Sequence, residues 1–200
     1  MISGVILAAG GSSRLGHPKQ LLDLGGQPLL AHILQNATAS DLDEVLLVLG
    51  HEAARIANDV GEWGQRVVIN PDYAKGQSTS VRRGLSSVNP TTEAVIFLLG
   101  DQPHVGPDII NALIREFRAS GGRIVQSTYG GTRGNPVLIA RELFPELARI
   151  RGDRGARDLL LTHRDEIVTV QVSDGPPPRD VDSEEDYQQL LADWHSARSQ

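Results

Sequence analysis

The residues between 7 and 22 combine three kinds of group that can bind an anion. The segment reads LAAGGSSRLGHPKQLL and extends a short apolar run that is typical of a buried strand. Glycines let backbone amides approach an anion, serines add hydroxyl donors, and arginine and lysine add fixed positive charge. The residues concerned are Gly10, Gly11, Ser12, Ser13, Arg14 and Lys19. A surface turn with two solvated cations would also contain such residues, but a strand that leads straight into Gly-Gly-Ser-Ser-Arg favours phosphate binding.

This loop differs from the two commoner phosphate-binding loops. A Walker loop carries lysine directly after its second glycine, whereas Gly16 is followed by His17. The dinucleotide spacing G-x-G-x-x-G is also absent from the segment. The sequence therefore argues against a P-loop kinase and weakens the case for a nicotinamide dehydrogenase.

A second informative loop, LLGDQP at residues 98–103, ends another apolar run. Asp101 directly follows that predicted strand, and open α/β sheets bind ligands outside the carboxyl ends of their strands. A carboxylate that faces triphosphate oxygens needs charge compensation, which Mg²⁺ supplies when carboxylates and phosphates hold it together. The alternative is that Asp101 caps a turn or the next helix, and this residue alone does not decide between the two.

A third stretch, residues 70–85, places small polar residues before a predicted amphipathic helix. Asn70 ends a strand, and helix N-termini attract polar or anionic groups, so Gly76, Ser78 and Ser80 are candidate nucleotide contacts. Helix capping by Ser78 accounts for the pattern equally well. The spacing G-x-S-x-S also falls short of the hydrolase elbow G-x-S-x-G.

The composition excludes several classes of site. The 200 residues contain no cysteine, which rules out disulfides, thiolate zinc sites, iron–sulfur clusters and cysteine nucleophiles. The six histidines show no metal-binding spacing. A net charge of -6 argues against a nucleic-acid partner or an anionic membrane surface. No apolar run approaches the roughly 20 residues of a spanning helix, and the first residues lack a signal-peptide pattern, so a cytoplasmic location is expected.

Alternating strand and helix patterns must position these loops. Nearly continuous apolar runs predict buried parallel strands at residues 4–9, Glu44–Leu49, Arg66–Ile69 and Ala94–Leu99. Helical patterns lie between and after them, at residues 28–39, 51–60, 78–88 and 107–119. This alternation predicts right-handed crossovers and a doubly wound sheet with helices on both faces.

The second half of the chain is less regular. A hairpin of strands 123–127 and 136–139 around a turn at 130–134 would make the sheet mixed. Further predicted elements are helices at 141–150 and 156–163, a strand at 166–172 and a last helix at 183–194. Ser183 and Asp186 stand in capping-box positions at its start. The predicted fold is therefore a Rossmann-like α/β domain with a mixed, mostly parallel sheet at residues 1–195, followed by a frayed tail at 196–200.

Together these residues resemble a known family. Residues 7–16 with Lys19 are similar to the signature of the nucleotidyltransferases that share the molybdopterin guanylyltransferase-like fold. Further blocks resemble the molybdenum cofactor cytidylyltransferase branch of that family. They are GDQP at 100–103, GNPV at 134–137, GDRGAR at 152–157, and DVDS at 180–183 with Asp186. The similarity covers residues 3 to 191, nearly the whole chain.

The resemblance implies a reaction in which CTP and molybdopterin give the dinucleotide cofactor and pyrophosphate, with Mg²⁺ as the metal. By the family pattern, the backbone of Leu7, Ala8 and Ala9 contacts the base, and Asn70 contacts the nucleotide. Arg14 and Lys19 hold phosphates and, with Asp101, are the implied catalytic residues.

The resemblance also assigns a metal side and an acceptor side. Asp101 and Asp182 match the two metal positions, whereas Asn135 and Arg157 lie on the acceptor side. Many relatives have histidine in place of Asn135, and this departure bears on the identity of the acceptor.

The sequence leaves three alternatives open. One is a nucleotidyltransferase with another base or acceptor, such as GTP, a sugar phosphate or phospholactate. Another is a nicotinamide-dependent oxidoreductase on a similar sheet, a label that some members of this branch carry. The third is a non-catalytic carrier that binds the pterin and docks to a molybdoenzyme, although the intact Arg14, Lys19 and Asp101 argue against a loss of catalysis.

Overall fold

A seven-stranded mixed sheet forms the centre of the protein. The computed structural model describes residues 1–12 and 14–198. The strands are β1 Ile2–Leu7, β2 Glu44–Leu49, β3 Arg66–Ile69, β4 Ala94–Leu99, β5 Ile124–Tyr129, β6 Thr132–Ala140 and β7 Ile167–Ser173. Their order across the sheet is β3-β2-β1-β4-β6-β5-β7, and β6 runs antiparallel to both of its neighbours. The predicted mixed, mostly parallel sheet is confirmed.

Helices cover both faces of this sheet. They are α1 Leu29–Thr38, α2 Ala53–Val60, α3 Gln77–Leu85, α4 Pro107–Ser120, α5 Phe144–Leu147, α6 Arg157–Thr162 and α7 Glu184–Arg198. Successive strand residues point to opposite faces. Ile6 accordingly belongs to the apolar cluster that includes α1, α2 and α4, whereas Val5 belongs to the cluster that includes α3, α5 and α6. The doubly wound arrangement is therefore confirmed.

Strand β1 determines where the functional loops meet. It pairs in parallel with β2 on one side and β4 on the other, so that Leu7 lies opposite both Val48 and Leu99. The chain order reverses at this point, and parallel neighbours end at the same edge of a sheet. The loops that follow β1 and β4 therefore start side by side.

Several element boundaries differ from the prediction for local reasons. Strand β1 begins and ends two residues earlier than expected, because the chain turns into the Gly-rich loop after the Ala8 amide donates to Val48 O at 3.0 Å. The helix predicted from residue 51 starts at Ala53, since Glu52 has a left-handed φ of 46°. The helix predicted at 141–150 is a 3₁₀ turn followed by the single turn of α5, whose first turn contains proline.

Helix α7 holds the C-terminal segment beside the Gly-rich loop. The predicted capping box is present: the Asp186 amide donates to Ser183 Oγ at 3.2 Å, and the Ser183 amide donates to Asp186 Oδ2 at 2.9 Å. Tyr187 OH donates to the Asp23 carbonyl at 2.6 Å. These contacts tie the residues just before α7 to the loop that carries Lys19.

The last helix is also longer than predicted. It continues to Arg198 instead of ending at residue 194, so residues 196–198 of the predicted tail are part of the helix. Ser199 and Gln200, the rest of the predicted tail, lie outside the described residues. Within the described ranges, none of the helices has the length and apolar character needed to cross a membrane.

A surface network around His163 links α6, α5 and β7. His163 Nε2 lies 2.9 Å from Glu146 Oε2 and its Nδ1 lies 3.1 Å from Glu166 Oε1, while Glu166 also pairs with Arg123. Hydrogen bonds to Glu146 and Glu166 raise the pKa of His163. Hydrogen bonds from Arg123 and His163 lower the pKa of Glu166.

The stability that this network contributes should therefore depend on pH. The His163 contribution is complete below the ordinary histidine pKa and is lost as pH rises through the raised one, whereas the Glu166 contribution is lost as pH falls through the lowered one. We expect the Tm difference between wild type and His163→Gln to be largest between about pH 4.5 and 6.5 and to shrink above that range. Thermal unfolding across pH checks this, with exposed His17→Gln as the control. A Tm difference that stays constant up to about pH 9 would contradict the expectation.

Candidate active site

Two carboxylates and one ammonium group meet at the edge where β1 and β4 end. The Gly100 amide donates to Leu7 O at 3.0 Å and holds the two loops together. Lys19 Nζ donates to Asp101 Oδ2 at 2.6 Å and to Asp182 Oδ1 at 3.0 Å. The structure thus brings together three predicted site residues that are far apart in the sequence.

The members of this cluster differ in exposure and charge environment. The side chains of Lys19 and Asp101 are only 19% and 9% exposed, whereas Arg14, which donates to Asp182 Oδ2 at 3.3 Å, is 73% exposed. Burial alone would lower the pKa of Lys19, but the two carboxylates outweigh it and the pKa lies above its ordinary value. Lys19 is therefore a firmly charged ammonium, while solvent screens the charge of Arg14.

The carboxylate pair has the chemistry to hold a hard cation. Oxygens of Asp101 and Asp182 converge on a positively charged atom, and carboxylate oxygens are the ligands that Mg²⁺ prefers. In the part of the chain that the structure describes, no group of three or more His, Cys, Asp or Glu side chains is arranged to hold a metal by itself. A cation here needs further oxygen ligands, which the phosphates of a nucleotide would supply.

Asp180 adds a third carboxylate that the sequence analysis did not single out as a site residue. Its Oδ1 accepts a hydrogen bond from Gln102 Nε2 at 2.9 Å. Partial burial and the nearby charge of Asp101 raise its pKa above the ordinary value. The alternation Asp180–Asp182, with buried Val181 between them, directs two carboxylates of one segment to the site.

In the Gly-rich loop, the backbone carbonyls are hydrogen-bonded within the described part of the protein, whereas several backbone amides are not. The carbonyl oxygens of Leu7, Ala8, Ala9 and Gly10 accept hydrogen bonds from within the protein at 2.8–3.3 Å. No described group accepts a hydrogen bond from the amides of Gly10, Gly11 and Ser12. Successive free amides form an anion-binding concavity. The free amides of the loop can therefore receive phosphate oxygens, and contact of the Leu7, Ala8 and Ala9 backbone with the base remains a prediction.

Of the two serines in this loop, the structure describes Ser12. Ser12 has a left-handed φ of 49°, and its Oγ accepts a hydrogen bond from the Lys19 amide at 3.0 Å. The hydroxyl that the sequence presents as a ligand donor thus also shapes the loop before Lys19. Ser13, the other predicted hydroxyl donor, lies outside the described residues.

The N-terminus of α3 is occupied by the chain itself. The Gln77 amide donates to Asp153 Oδ1 and the Ser78 amide donates to Gly152 O, both at 3.1 Å. Ser78 is only 1% exposed, whereas Gln77 and Ser80 line the adjacent cavity. The sequence predicted Ser78 as a possible cap of this helix, whereas the capping groups belong to the distant loop that contains Gly152 and Asp153.

Asn70 and Gly76 support the wall of the same cavity. Asn70 is 2% exposed, and its Nδ2 donates to Thr79 Oγ1 at 2.9 Å and to Ser80 Oγ at 3.0 Å. Gly76 has a φ of 106°, and a Cβ there would lie 2.7 Å from Gly152 O. Glycine is therefore needed where α3 and the 152–155 loop approach each other. Nucleotide contact by Asn70, Gly76 and Ser78 remains a prediction.

Two adjoining cavities open at this edge of the sheet. The Lys19 cavity, of about 350 Å³, contains Lys19, Asp101 and Asp182 in its lining. The Arg157 cavity, of about 560 Å³, lies over β1, β4 and β6 and against α6. Residues that line both are Leu7, Gln77, Leu99 and Asp180. Two ligands in these cavities would meet at that shared boundary.

The Arg157 cavity has an apolar floor and a basic rim. Its floor is formed by Leu7, Phe97, Leu99, Val137 and Ile139. Asn135 and Arg157, the predicted acceptor residues, line it together. The sequence analysis missed three further arginines of the rim, Arg133, Arg154 and Arg164, because charged residues in irregular segments usually indicate only a solvated surface. A bulky ligand with an anionic group suits such a cavity.

Comparison with known sequences identifies relatives that match over nearly their full length. A nicotine blue oxidoreductase from Paenarthrobacter nicotinovorans is 30% identical over 95% of this chain and 96% of its own. The purine catabolism protein PucB from Bacillus subtilis is 31% identical over 92% of this chain and 93% of its own. The two names describe different roles, so the relatives leave the reaction of this chain to be argued from its site.

Solved structures give the same picture of the fold. The Rv0371c homologue from Mycobacterium sp. strain JC1 superposes with a TM-score of 0.90 at 35% identity, over 98% of both chains. Rv0371c from Mycobacterium tuberculosis in complex with manganese has a TM-score of 0.84 at 32% identity, over 96% of this chain and 97% of its own. A protein of this fold therefore binds a divalent cation.

The family comparison agrees with the geometry of the site. Residues 4–167 match the MobA-like NTP transferase domain, a segment that includes the Gly-rich loop, Asp101 and the lining of the Arg157 cavity apart from Asp180. Lys19, Asp101 and the free loop amides are groups of the kinds that can bind phosphate oxygens and a divalent cation. The chain belongs to the family of MobA-like NTP transferase domains and is a nucleotidyltransferase of that family.

Proposed function

We propose that the protein transfers CMP from CTP to the phosphate of a molybdopterin-type acceptor and releases pyrophosphate. The observation that carries the proposal is the convergence of Lys19, Asp101 and Asp182, within 3.0 Å, in a cavity that adjoins the Arg157 cavity. The first cavity offers a buried ammonium, free loop amides and carboxylates that could hold a hard cation, which are the groups that a triphosphate bound with Mg²⁺ would use. The second has room, an apolar floor and cationic groups for an acceptor that carries a phosphate.

The proposed reaction needs no protein nucleophile. An oxygen of the acceptor phosphate attacks the α-phosphorus of CTP and forms a new P–O bond, while the bond from that phosphorus to the bridging oxygen breaks. Pyrophosphate leaves with the electron pair. Catalysis then consists of positioning the two substrates in line and neutralising the charge of the phosphates.

The residues of the site divide this work. Lys19 and the free amides of the Gly-rich loop hold the triphosphate and the leaving pyrophosphate, and Arg14 adds charge from the solvent side. Asp101 and Asp182 are the residues that would hold Mg²⁺, which supplies charge neutralisation at the phosphate oxygens when bound. Lys19 uses two of its three N–H donors on these carboxylates in the free protein, so the third is available to a phosphate oxygen.

The acceptor side supports a compound larger than a simple phosphate. Asn135 and Arg157 line a cavity of about 560 Å³ whose floor consists of strand side chains. Arg157 and the neighbouring arginines can bind the acceptor phosphate, while a ring system packs against Phe97 and Val137. A molybdopterin-type acceptor has both parts.

The test is pyrophosphate release with each of the four NTPs, with and without molybdopterin. We expect CTP to support initial rates roughly tenfold to a hundredfold above those with GTP at matched, subsaturating concentrations. A purine needs more room than a pyrimidine, and Gln77 and Ser80 line the Lys19 cavity where they can limit that room. A GTP rate equal to or above the CTP rate would reject cytidylyl transfer and leave nucleotidyl transfer in place. No turnover with any NTP would point to another acceptor, with Asn135 the first position to vary.

The name of the Paenarthrobacter relative provides one specific reason to test a second function. A nicotinamide-dependent oxidoreductase would have to bind NADH in the Lys19 cavity, although the dinucleotide spacing G-x-G-x-x-G is absent. Titration with NADH in the presence and absence of CTP, with NADH fluorescence as the readout, distinguishes the two functions. Tight NADH binding that CTP fails to displace would favour the oxidoreductase.

A further inference from the structure

Gln20 is a buried side chain that touches the Gly-rich loop from inside. It is only 2% exposed, and it lines the Lys19 cavity immediately after Lys19 in the chain. Its Nε2 donates to Ala8 O at 2.8 Å and to Gly10 O at 3.1 Å. A side-chain amide has two N–H hydrogens, so both donors of Gln20 are used on this one loop.

These two hydrogen bonds fix the direction in which the peptide groups of the loop point. The Gly10 carbonyl belongs to the same peptide group as the free Gly11 amide, and the Ala8 carbonyl belongs to the peptide group just before the one that carries the free Gly10 amide. If the carbonyls were not held, rotation of the peptide groups could turn their negative ends toward the cavity. Carbonyl oxygens repel phosphate oxygens, whereas amides attract them.

The oxygen of the Gln20 side-chain amide is also informative. Gln20 Oε1 is buried, and none of the described groups donates a hydrogen bond to it. A buried polar atom without a partner is destabilising. An apolar side chain would fill this position without that penalty, so packing alone does not account for glutamine here.

We infer that Gln20 is a positioning residue for the triphosphate: by holding the carbonyls of Ala8 and Gly10, it keeps the loop amides directed at the phosphates. This inference rests on the proposed use of a nucleoside triphosphate and is independent of the base and of the acceptor. It concerns the backbone, so it applies to CTP and to inorganic tripolyphosphate alike.

The test compares wild type with Gln20→Met, which keeps the size of the side chain and loses both donors. We expect the Kd for CTP in the presence of Mg²⁺, measured by calorimetry on the full chain, to increase roughly tenfold or more. The KM for CTP should increase with it, while kcat and the KM for the acceptor change little, because the contact acts on bound and reacting triphosphate alike. Exchange of the hydrogen-bonded amides of Ala8, Leu15 and Gly16 in the free protein should become faster while exchange in distant strands stays as in wild type, a local readout that a general packing defect would not give.

Two more variants make the test decisive. Gln35→Met is the matched control, because it removes a 2.9 Å hydrogen bond to Gln27 Oε1 outside both cavities and should leave the Kd for CTP unchanged. Gln20→Glu keeps the shape and the Oε1 acceptor but lacks the N–H donors, so it should also weaken CTP binding and serves if Gln20→Met fails to fold. A folded Gln20 variant with wild-type affinity and wild-type exchange would overturn the inference and leave the proposed function in place. A wild-type protein that binds neither CTP nor tripolyphosphate would overturn both.

Discussion

Replacing Lys19 with alanine should lower the rate of pyrophosphate release about tenfold to a thousandfold, as removal of other preorganised charge contacts does. Lys19 is the buried cation of the site and lies 2.6 Å from Asp101 and 3.0 Å from Asp182. Without it, the triphosphate loses its most desolvated positive partner, and the Kd for CTP should rise together with the loss in rate. Initial rates and calorimetric titration with CTP measure the two effects.

The same variant should also change the stability of the free protein. An exposed loop lysine adds little to stability, but the side chain of Lys19 is only 19% exposed and bridges two carboxylates. Removing one partner of a buried ion pair leaves uncompensated charge, which costs about 3–5 kcal/mol when burial is complete and less here. Thermal unfolding of Lys19→Ala should therefore show a lower Tm in EDTA, and Mn²⁺ should raise it more than it raises the wild-type Tm.

Lys75→Ala is the matched control for both measurements. Like Lys19, Lys75 lies in a short 3₁₀ segment and pairs with an aspartate, Asp72, at 2.6 Å, but its side chain is 75% exposed and lies outside both cavities. It should leave turnover and Tm close to wild type. Unchanged turnover in Lys19→Ala would remove the Gly-rich loop from the proposed phosphate site.

The strands that the sequence predicted best are those with a purely local signal. Strands β2, β3 and β4 have the predicted bounds, because their apolar runs are flanked by polar or glycine residues at both ends. The alternation of strands and helices also placed the Gly-rich loop and Asp101 at one edge of the sheet. The predicted helix at 141–150 was wrong for a local reason as well: Pro145 has no amide to donate to the preceding turn, and the segment forms a 3₁₀ turn followed by the single turn of α5.

The parts of the site that the sequence could not predict depend on contacts between distant residues. Asp182 reaches Lys19 across 163 positions because α7 packs beside the Gly-rich loop, and only a resemblance suggested its role. Asp153 caps α3, and Gln20 holds two loop carbonyls. Both act on backbone groups, and such hydrogen bonds leave no residue pattern that could be recognised beforehand.

Replacing Asp101 with asparagine should abolish Mg²⁺-dependent turnover and preserve most of the affinity for the nucleotide. The amide keeps the shape of a side chain that is only 9% exposed, but it loses the charge that a hard cation prefers. Because a negative group is removed near the triphosphate, the affinity for CTP in EDTA should stay level or increase. This separates Asp101→Asn from Lys19→Ala, which should weaken CTP binding with or without metal.

Two measurements test Asp101→Asn. The first is the rate as a function of Mg²⁺ concentration. The second does not depend on activity: it is the binding of Mn²⁺ in the presence of CTP, measured by electron paramagnetic resonance. We expect the Mn²⁺ Kd to increase roughly tenfold or more. Asp108→Asn, which removes an exposed carboxylate from the first turn of α4, is the control and should leave both curves unchanged. If Asp101→Asn retained activity with a normal Mg²⁺ dependence and normal Mn²⁺ binding, Asp101 would serve only to pair with Lys19 and shape the turn after β4, and the metal would have to be held through Asp182 and the phosphates.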